Sequence, residues 1–207
     1  MSFTDAWRVV WKSLQEWWDS WVTLLLFGLV WVLCCATIVL GPPATFGFFH
    51  AVRWLMAKNE TRWDQYFQMG KKHLLTSWLW FITNIFVITV VYANYIFYGA
   101  LSTDIGRILQ GIALGAGFIW VAVQFYALPY YVLLEKKSLI TAWKNGLFTI
   151  LASPFYSLVL WLVLFVIILL HLTILPILLG GPGLVVLLAS IAVEDRIIRF
   201  GIRERNA

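Results

Sequence analysis

The sequence predicts an all-α, polytopic transmembrane helical bundle of about six spans, arranged as three helical hairpins that are each preceded by an interfacial amphipathic helix, with both termini in the cytoplasm. Three observations predict it. Of the 207 residues, 62% are hydrophobic and 12% charged, about half the ~25% charge of a soluble domain. The apolar residues gather into runs of span length. The 15 Lys and Arg fall between alternate runs, as the positive-inside rule requires. A mean hydropathy of +0.85 excludes disordered, collagen-like and disulfide-rich secreted classes. No stretch of ordinary composition reaches the ~50 residues a separate domain needs, so 1–207 reads as a single membrane domain. The net charge of +5 resides in short clusters that orient spans, and no nucleic-acid partner is expected.

The chain opens on an amphipathic pattern. Phe3, Trp7, Val10, Leu14, Trp17 and Trp21 recur at spacings of four and three, opposite Arg8, Lys12, Gln15, Glu16 and Asp19. This predicts an interfacial helix, anchored by Trp7, Trp11 and Trp17 at the depth where an indole ring and its N–H are both satisfied. Acidic residues among these tryptophans leave no cleavable signal peptide, so Trp21 to Leu40 is expected as a retained span; 20 residues at 1.5 Å match a ~30 Å hydrocarbon core. Cys34 and Cys35 lie adjacent inside it with no metal-spaced neighbours and read as packing residues.

Pro42 to Ala57, after Gly41, is short at about 24 Å, with Arg53 and Lys58 placed to snorkel inward. Thr61 and Asp64 then make a capping pattern for a second interfacial helix. Its apolar face holds Trp63, Tyr66, Phe67, Gly70 and Leu74, against Gln65, Gln68, Lys71 and Lys72, and Trp63 is its anchor. Leu74 to Tyr98 and Ile108 to Leu134 are full-length spans. The second contains Pro129, expected to bend it near its inner end, and a GxxxG spacing at Gly111 and Gly115, expected to serve packing inside the bundle. A third interfacial helix starts at Ser138, with Leu139, Ala142, Trp143, Gly146, Leu147 and Ile150 opposite Thr141, Lys144 and Asn145; Trp143 is the anchor. Ser153 as N-cap and Pro154 in the first turn open a span to Leu175. Pro182 to Val193, at about 18 Å, is the shortest run.

Charge makes the short runs cross. With six spans and the N-terminus inside, the cytoplasmic segments hold Arg8, Lys12, Arg53, Lys58, Arg62, Lys71, Lys72, Lys136, Lys137, Lys144, Arg196, Arg199, Arg203 and Arg205, and the outside holds Arg107 alone. Demoting the first short run would move Arg53 through Lys72 outside, against the rule. The chain therefore divides into three units of one plan, 3–58, 61–134 and 138–203. In the first and third, Ala6-Trp7-Arg8 corresponds to Ala142-Trp143-Lys144 and Gly41-Pro42-Pro43 to Gly181-Pro182-Gly183. All three run in one direction, a parallel repeat.

The Trp-rich start, the Gly-Pro-Pro after the first span followed by a short aromatic helix with Arg53 and Lys58, the Trp-Asp-Gln-Tyr-Phe segment leading to Lys71-Lys72, and Thr141-Ala142-Trp143-Lys144-Asn145-Gly146 running to Pro154 resemble the YesL-like family of small bacterial membrane proteins over nearly the whole chain. The resemblance implies a family of unknown function whose members are often encoded beside sugar-binding ABC transporters and polysaccharide-degrading enzymes. It supplies no catalytic residues. It points to the bacterial cytoplasmic membrane and to carbohydrate uptake, with ABC transporter subunits as candidate partners beside the bilayer itself.

Enzymatic readings fail on inventory. His50, His73 and His171 fall in different spans or boundaries, and no phosphate loop, HExxH, CxxC or GxSxG occurs. Nine of ten carboxylates lie on the cytoplasmic side, where solvated faces account for them. No catalytic, cofactor or metal residues are expected. The better lead is a layer of membrane-embedded polar side chains, His50 with Arg53 one turn on, Asn84 and Gln124, each costly unless paired or facing water. Such groups often only cross-link helices, at about 0.6 kcal/mol each, and that reading is preferred. Tyr92, Asn94, Tyr95 and Tyr98 read as outer anchors, or as a sugar-facing patch. Two functions follow: a non-catalytic accessory of carbohydrate uptake, or a transporter or channel with a polar centre, which at this size would require a homo-oligomer.

Overall fold

The computed structural model describes residues 3–58, 63–101, 103–135, 137–171 and 180–201. Among them every regular element is helical: α1 (Phe3–Asp19), α2 (Trp21–Ala36), α3 (Gly41–Met56), α4 (Trp63–Lys72), α5 (Leu74–Gly99), α6 (Asp104–Leu133), α7 (Leu139–Ala152), α8 (Pro154–His171) and α9 (Gly181–Arg199). The expected capping role of Thr61, the basic residues Arg62, Lys136, Arg203 and Arg205, and the end of the run from Ser153 to Leu175 lie outside the described residues. Two helices, α5 and α6, are long and apolar enough to cross a membrane. The pairs α1–α2 and α7–α8 also pass if each is counted as one span bent by 90° and 106°, so the described residues hold two to four helices or bent pairs fit by length and composition to cross.

Local chemistry sets the breaks. The Thr103 side chain accepts from Gly106 N at the start of α6, and Ser138 accepts from Thr141 N at the start of α7, each satisfying a donor the first turn leaves open. Ser153 is non-helical, the conformation a following proline favours, and the chain turns there from α7 into α8. Helices α3 and α9 both begin Gly-Pro, with the proline in the first turn, where a missing N–H costs nothing. Gly180 sits at φ 75° against the backbone of Leu25, a conformation open to glycine.

The centre belongs to α3 and α9. Helix α3 packs on α2, α4, α5, α6 and α9, and α9 on α1, α2, α3, α6 and α8. Phe46, Phe48 and Val52 of α3 and Leu187, Leu188 and Ile191 of α9 are buried, with Leu24 of α2, Tyr66 of α4, Tyr126 and Tyr131 of α6, and Tyr156 and Leu160 of α8 around them. At the α3–α4 crossing, a Cβ on Gly47 would stand 2.6 Å from the Tyr66 carbonyl oxygen, and one on Gly70 2.8 Å from that of Pro43. Glycine at both positions lets the two backbones touch, and Tyr66 Oη closes the contact by donating to the Ala44 carbonyl at 3.0 Å.

The α5–α6 hairpin is the opposite case. Only 6% of the most apolar window of α5 is buried, and α6 is buried from Ala122 to Val132 but open over most of its first half. Gly111 and Gly115, expected to pack inside the bundle, have nothing within 4 Å of a Cβ.

Helix α1 differs from its expected two-faced pattern. Ala6, Val9, Val10 and Ser13 are buried, with Trp17 half-buried beside them, on the side that meets α8 and α9. Trp7, Trp11, Leu14 and Trp18 form a separate exposed stripe, with Trp18 70% exposed. The polar residues take the third side. Protein core and lipid both select apolar side chains, so one continuous apolar stripe in the sequence splits into a bundle-facing and an outward-facing half. The other units share this plan unequally: α1–α3 and α7–α9 are each a bent pair followed by a Gly-Pro helix, whereas α4–α6 is a 10-residue helix and a long hairpin.

Candidate functional site

Three polar constellations and one large cavity are built on this frame. The first joins α5, α6 and α7. Gln124 Oε1 accepts from the indole N–H of Trp80 at 2.9 Å, from that of Trp143 at 3.2 Å and from Asn84 Nδ2 at 3.4 Å, while Trp120 donates to Asn84 Oδ1 at 3.0 Å. Asn84 Nδ2 also donates to the Trp80 carbonyl of its own helix at 2.8 Å. The structure thus brings together Asn84 and Gln124 of the expected layer, and three tryptophans close around them. Trp143 is half-buried in this cluster. It faces inward, while Trp7, Trp11 and Trp63 are 55%, 58% and 42% exposed.

His50 belongs elsewhere. Its ring lies parallel to that of His73, 5.2 Å between centroids at 4°, and His73 Nδ1 meets Tyr131 Oη at 3.0 Å. The Lys137 ammonium donates to the carbonyls of Tyr131 at 3.2 Å and Val132 at 2.5 Å, at the open C-terminal end of α6. Burial and the charges of Lys137 and Lys72 hold His73 below its ordinary value, and burial with the charges of Arg53 and Lys72 lowers Lys137. Phe46 stands between the two constellations, 6.1 Å from Trp80 and 6.3 Å from His73 by ring centroids. His73 sits at the α4–α5 break, outside any helical period, so the sequence pattern does not pair it with His50. Its signal was position: the side chain that ends an interfacial helix points back at the neighbouring span.

The third constellation ties the first helix to the last. Arg196 is fully buried, its guanidinium 3.7 Å from the centre of the Tyr156 ring, bonded to Asp195 and, at 3.4 Å, to Ser153 Oγ. Asp195 also receives Arg8 at 3.2 Å and Arg199 at 3.5 Å, and Arg199 pairs with Asp5. By sequence Arg196 counts only among the basic residues of the cytoplasmic side. An arginine directly after a buried apolar run and an acidic pair was the available signal.

A basin of about 1700 Å³ lies between α1, α3, α7, α9 and the end of α6, and of the groups above Arg8, Asp195 and Lys137 reach its wall. Arg8 and Lys12, Arg53, Lys137 and the polar Ser138, Thr141 and Asn145 line it, with Glu135, Glu194 and Asp195. Every charged residue in that lining was expected on one side of the membrane. Arg53, placed in the polar layer by sequence, lines this basin. Among the described residues no group of three or more His, Cys, Asp or Glu is placed to hold a metal.

The fold and these sites define a helical protein with helices fit to cross a membrane and a large basin lined by charged residues. No family model, no curated protein and no solved structure matches the chain.

Proposed function

We propose that this chain is a six-span, N-in/C-in protein of the bacterial cytoplasmic membrane, a non-catalytic accessory of carbohydrate uptake that associates with a sugar ABC transporter through its cytoplasmic basin. In this reading α5 and α6 are full crossings and α2, α3, α8 and α9 are short ones, and YesL-like membership brings the association with sugar uptake. The observation that carries it is the occupancy of the central polar layer: the Gln124 carbonyl accepts three donors, the mark of a cross-link between helices, and the large concave surface lies at the charged residues instead. A photo-crosslinker at Thr141, on the basin wall, should recover transporter subunits after gentle extraction from the native membrane. Recovery no better than from a crosslinker at Ile112, on the exposed hairpin, would overturn the reading.

A second reading, a transporter or channel in a homo-oligomer, is favoured by one observation: His50 Nε2 and Gln124 Nε2 are buried with no partner, as groups awaiting a solute would be. Flux of sugars or ions in proteoliposomes, abolished by His50→Ala or Asn84→Leu, would support it, and absence of flux would remove it.

A further inference from the structure

We propose that the basin holds an anionic phospholipid, its phosphate on Arg53 and Lys137 and its apolar part along Val9, Met56, Leu133 and Ile198. The inference goes beyond the accessory reading and does not depend on it, since a lipid would occupy this site whether or not a transporter is the partner.

Both cations line one cavity, together with those apolar side chains, and cations beside an apolar wall suit an amphiphile. The volume of about 1700 Å³ far exceeds a free phosphate and admits a headgroup with part of its chains. Lys137 is held in place: two of the three ammonium donors are bound by the Tyr131 and Val132 carbonyls, leaving one for a phosphoryl oxygen. Arg53 adds a planar fork suited to phosphate.

Behind these two groups the field is positive. Lys72 and Arg53 both disfavour the charged form of Lys137, and Lys72 and Lys137 that of His73; His50, one turn before Arg53, is buried with its Nε2 unpartnered. The basin's acids do not cancel this field equally. Asp195 is bonded to Arg8, Arg196 and Arg199, Glu135 is exposed on the α6–α7 turn, and Glu194 of α9 lines the basin and, with Arg53, a small pocket beside it.

The test is native mass spectrometry of the full chain released from nanodiscs of phosphatidylcholine containing a minor fraction of phosphatidylglycerol, with calorimetric titration of inorganic phosphate as a second arm. The expected result is phosphatidylglycerol retained above its bulk fraction. Arg53→Gln and Lys137→Gln should each weaken retention roughly fivefold, the effect of one basic residue near an anionic headgroup, and Lys144→Gln, outside the basin, should leave it unchanged. Lys137 is exposed, so its variant keeps the test open should Arg53→Gln fail to fold. Retention equal to the bulk fraction, equal retention in the Gln variants, or saturable binding of inorganic phosphate without lipid enrichment would each overturn the proposal.

Discussion

Helices α3 and α9 and the α5–α6 hairpin dispose of their apolar residues in opposite ways. The most apolar window of α5, with mean hydropathy 1.9, is 6% buried, whereas α3, interrupted by glycine, proline, His50 and Arg53, is buried along most of its length. In water that order would be perverse, because burial follows hydrophobicity. In a bilayer lipid is as apolar as leucine, so greasy surface gains nothing from turning inward, and close packing with polar cross-links decides what lies inside. The contrast fits helices long and apolar enough to cross a membrane and does not rest on composition alone.

The largest separation between the two regions should come from arginines. Arg196 is fully enclosed in α9, stacked on Tyr156 and bonded to Asp195 and Ser153. Arg196→Ala breaks a buried pair and should cost about 3–5 kcal/mol, visible as a large fall in the melting temperature of detergent-solubilised protein. Arg107→Ala, removing the exposed pair with Asp104 at the hairpin tip, should change stability by well under ~1 kcal/mol. Equal melting of the two variants would contradict the burial assigned to α9.

Glycine gives the next contrast. Gly47→Ala drives a methyl into the Tyr66 carbonyl oxygen and Gly70→Ala into that of Pro43; because backbone must move, each should cost about 1–3 kcal/mol. Gly111→Ala and Gly115→Ala meet open space and should be neutral, or stabilising by up to ~1 kcal/mol through helix propensity. Destabilisation at Gly111 or Gly115 in the monomer would mean that the face is covered.

What could be read beforehand follows the same division. Helix starts governed by local chemistry, Ser138, Pro154 and Gly181-Pro182, were legible because capping and proline geometry act within a few residues. The meeting of Asn84 with Gln124 was legible from depth along two adjacent spans. The partner of His50 was not, since a stacked ring at a helix break obeys no period. The two apolar sides of α1 were also hidden: Val9 and Trp11 are equally hydrophobic letters, and only the positions of α8 and α9 distinguish core from outer surface.

Gln124, where the hairpin joins the bundle, should give an intermediate effect. Gln124→Leu removes the acceptor shared by Trp80, Trp143 and Asn84, and at about 0.6 kcal/mol per membrane hydrogen bond the loss should reach roughly 1–2 kcal/mol. Phe86→Leu, on the exposed part of α5, should lie within about 0.5 kcal/mol of wild type. If Gln124→Leu were as stable as wild type, the indoles would not depend on that carbonyl, and the layer would be a solute site in preference to a cross-link.

The smallest effect is the pH response at the hairpin's root. His73 is buried against Tyr131 with Lys72 and Lys137 nearby, and both burial and those charges lower its pKa. The unfolded chain therefore binds the proton more readily than the folded one, so stability is complete above the ordinary histidine value near 6.5 and declines as pH falls from there toward the lowered folded value. His73→Gln keeps an acceptor for the Tyr131 hydroxyl and removes the titration. Between pH 7.5 and 5.5 the wild type should lose roughly 1–3 °C more than the variant, after the slope common to both is subtracted. The positively charged surroundings predict the sign: an anion beside Lys137 would ease protonation of His73 and shrink that difference. Parallel pH profiles in anion-free detergent would show that His73 is already solvated, and the enclosed pair with His50 would no longer distinguish the inner end of α3 from the open flank of α5.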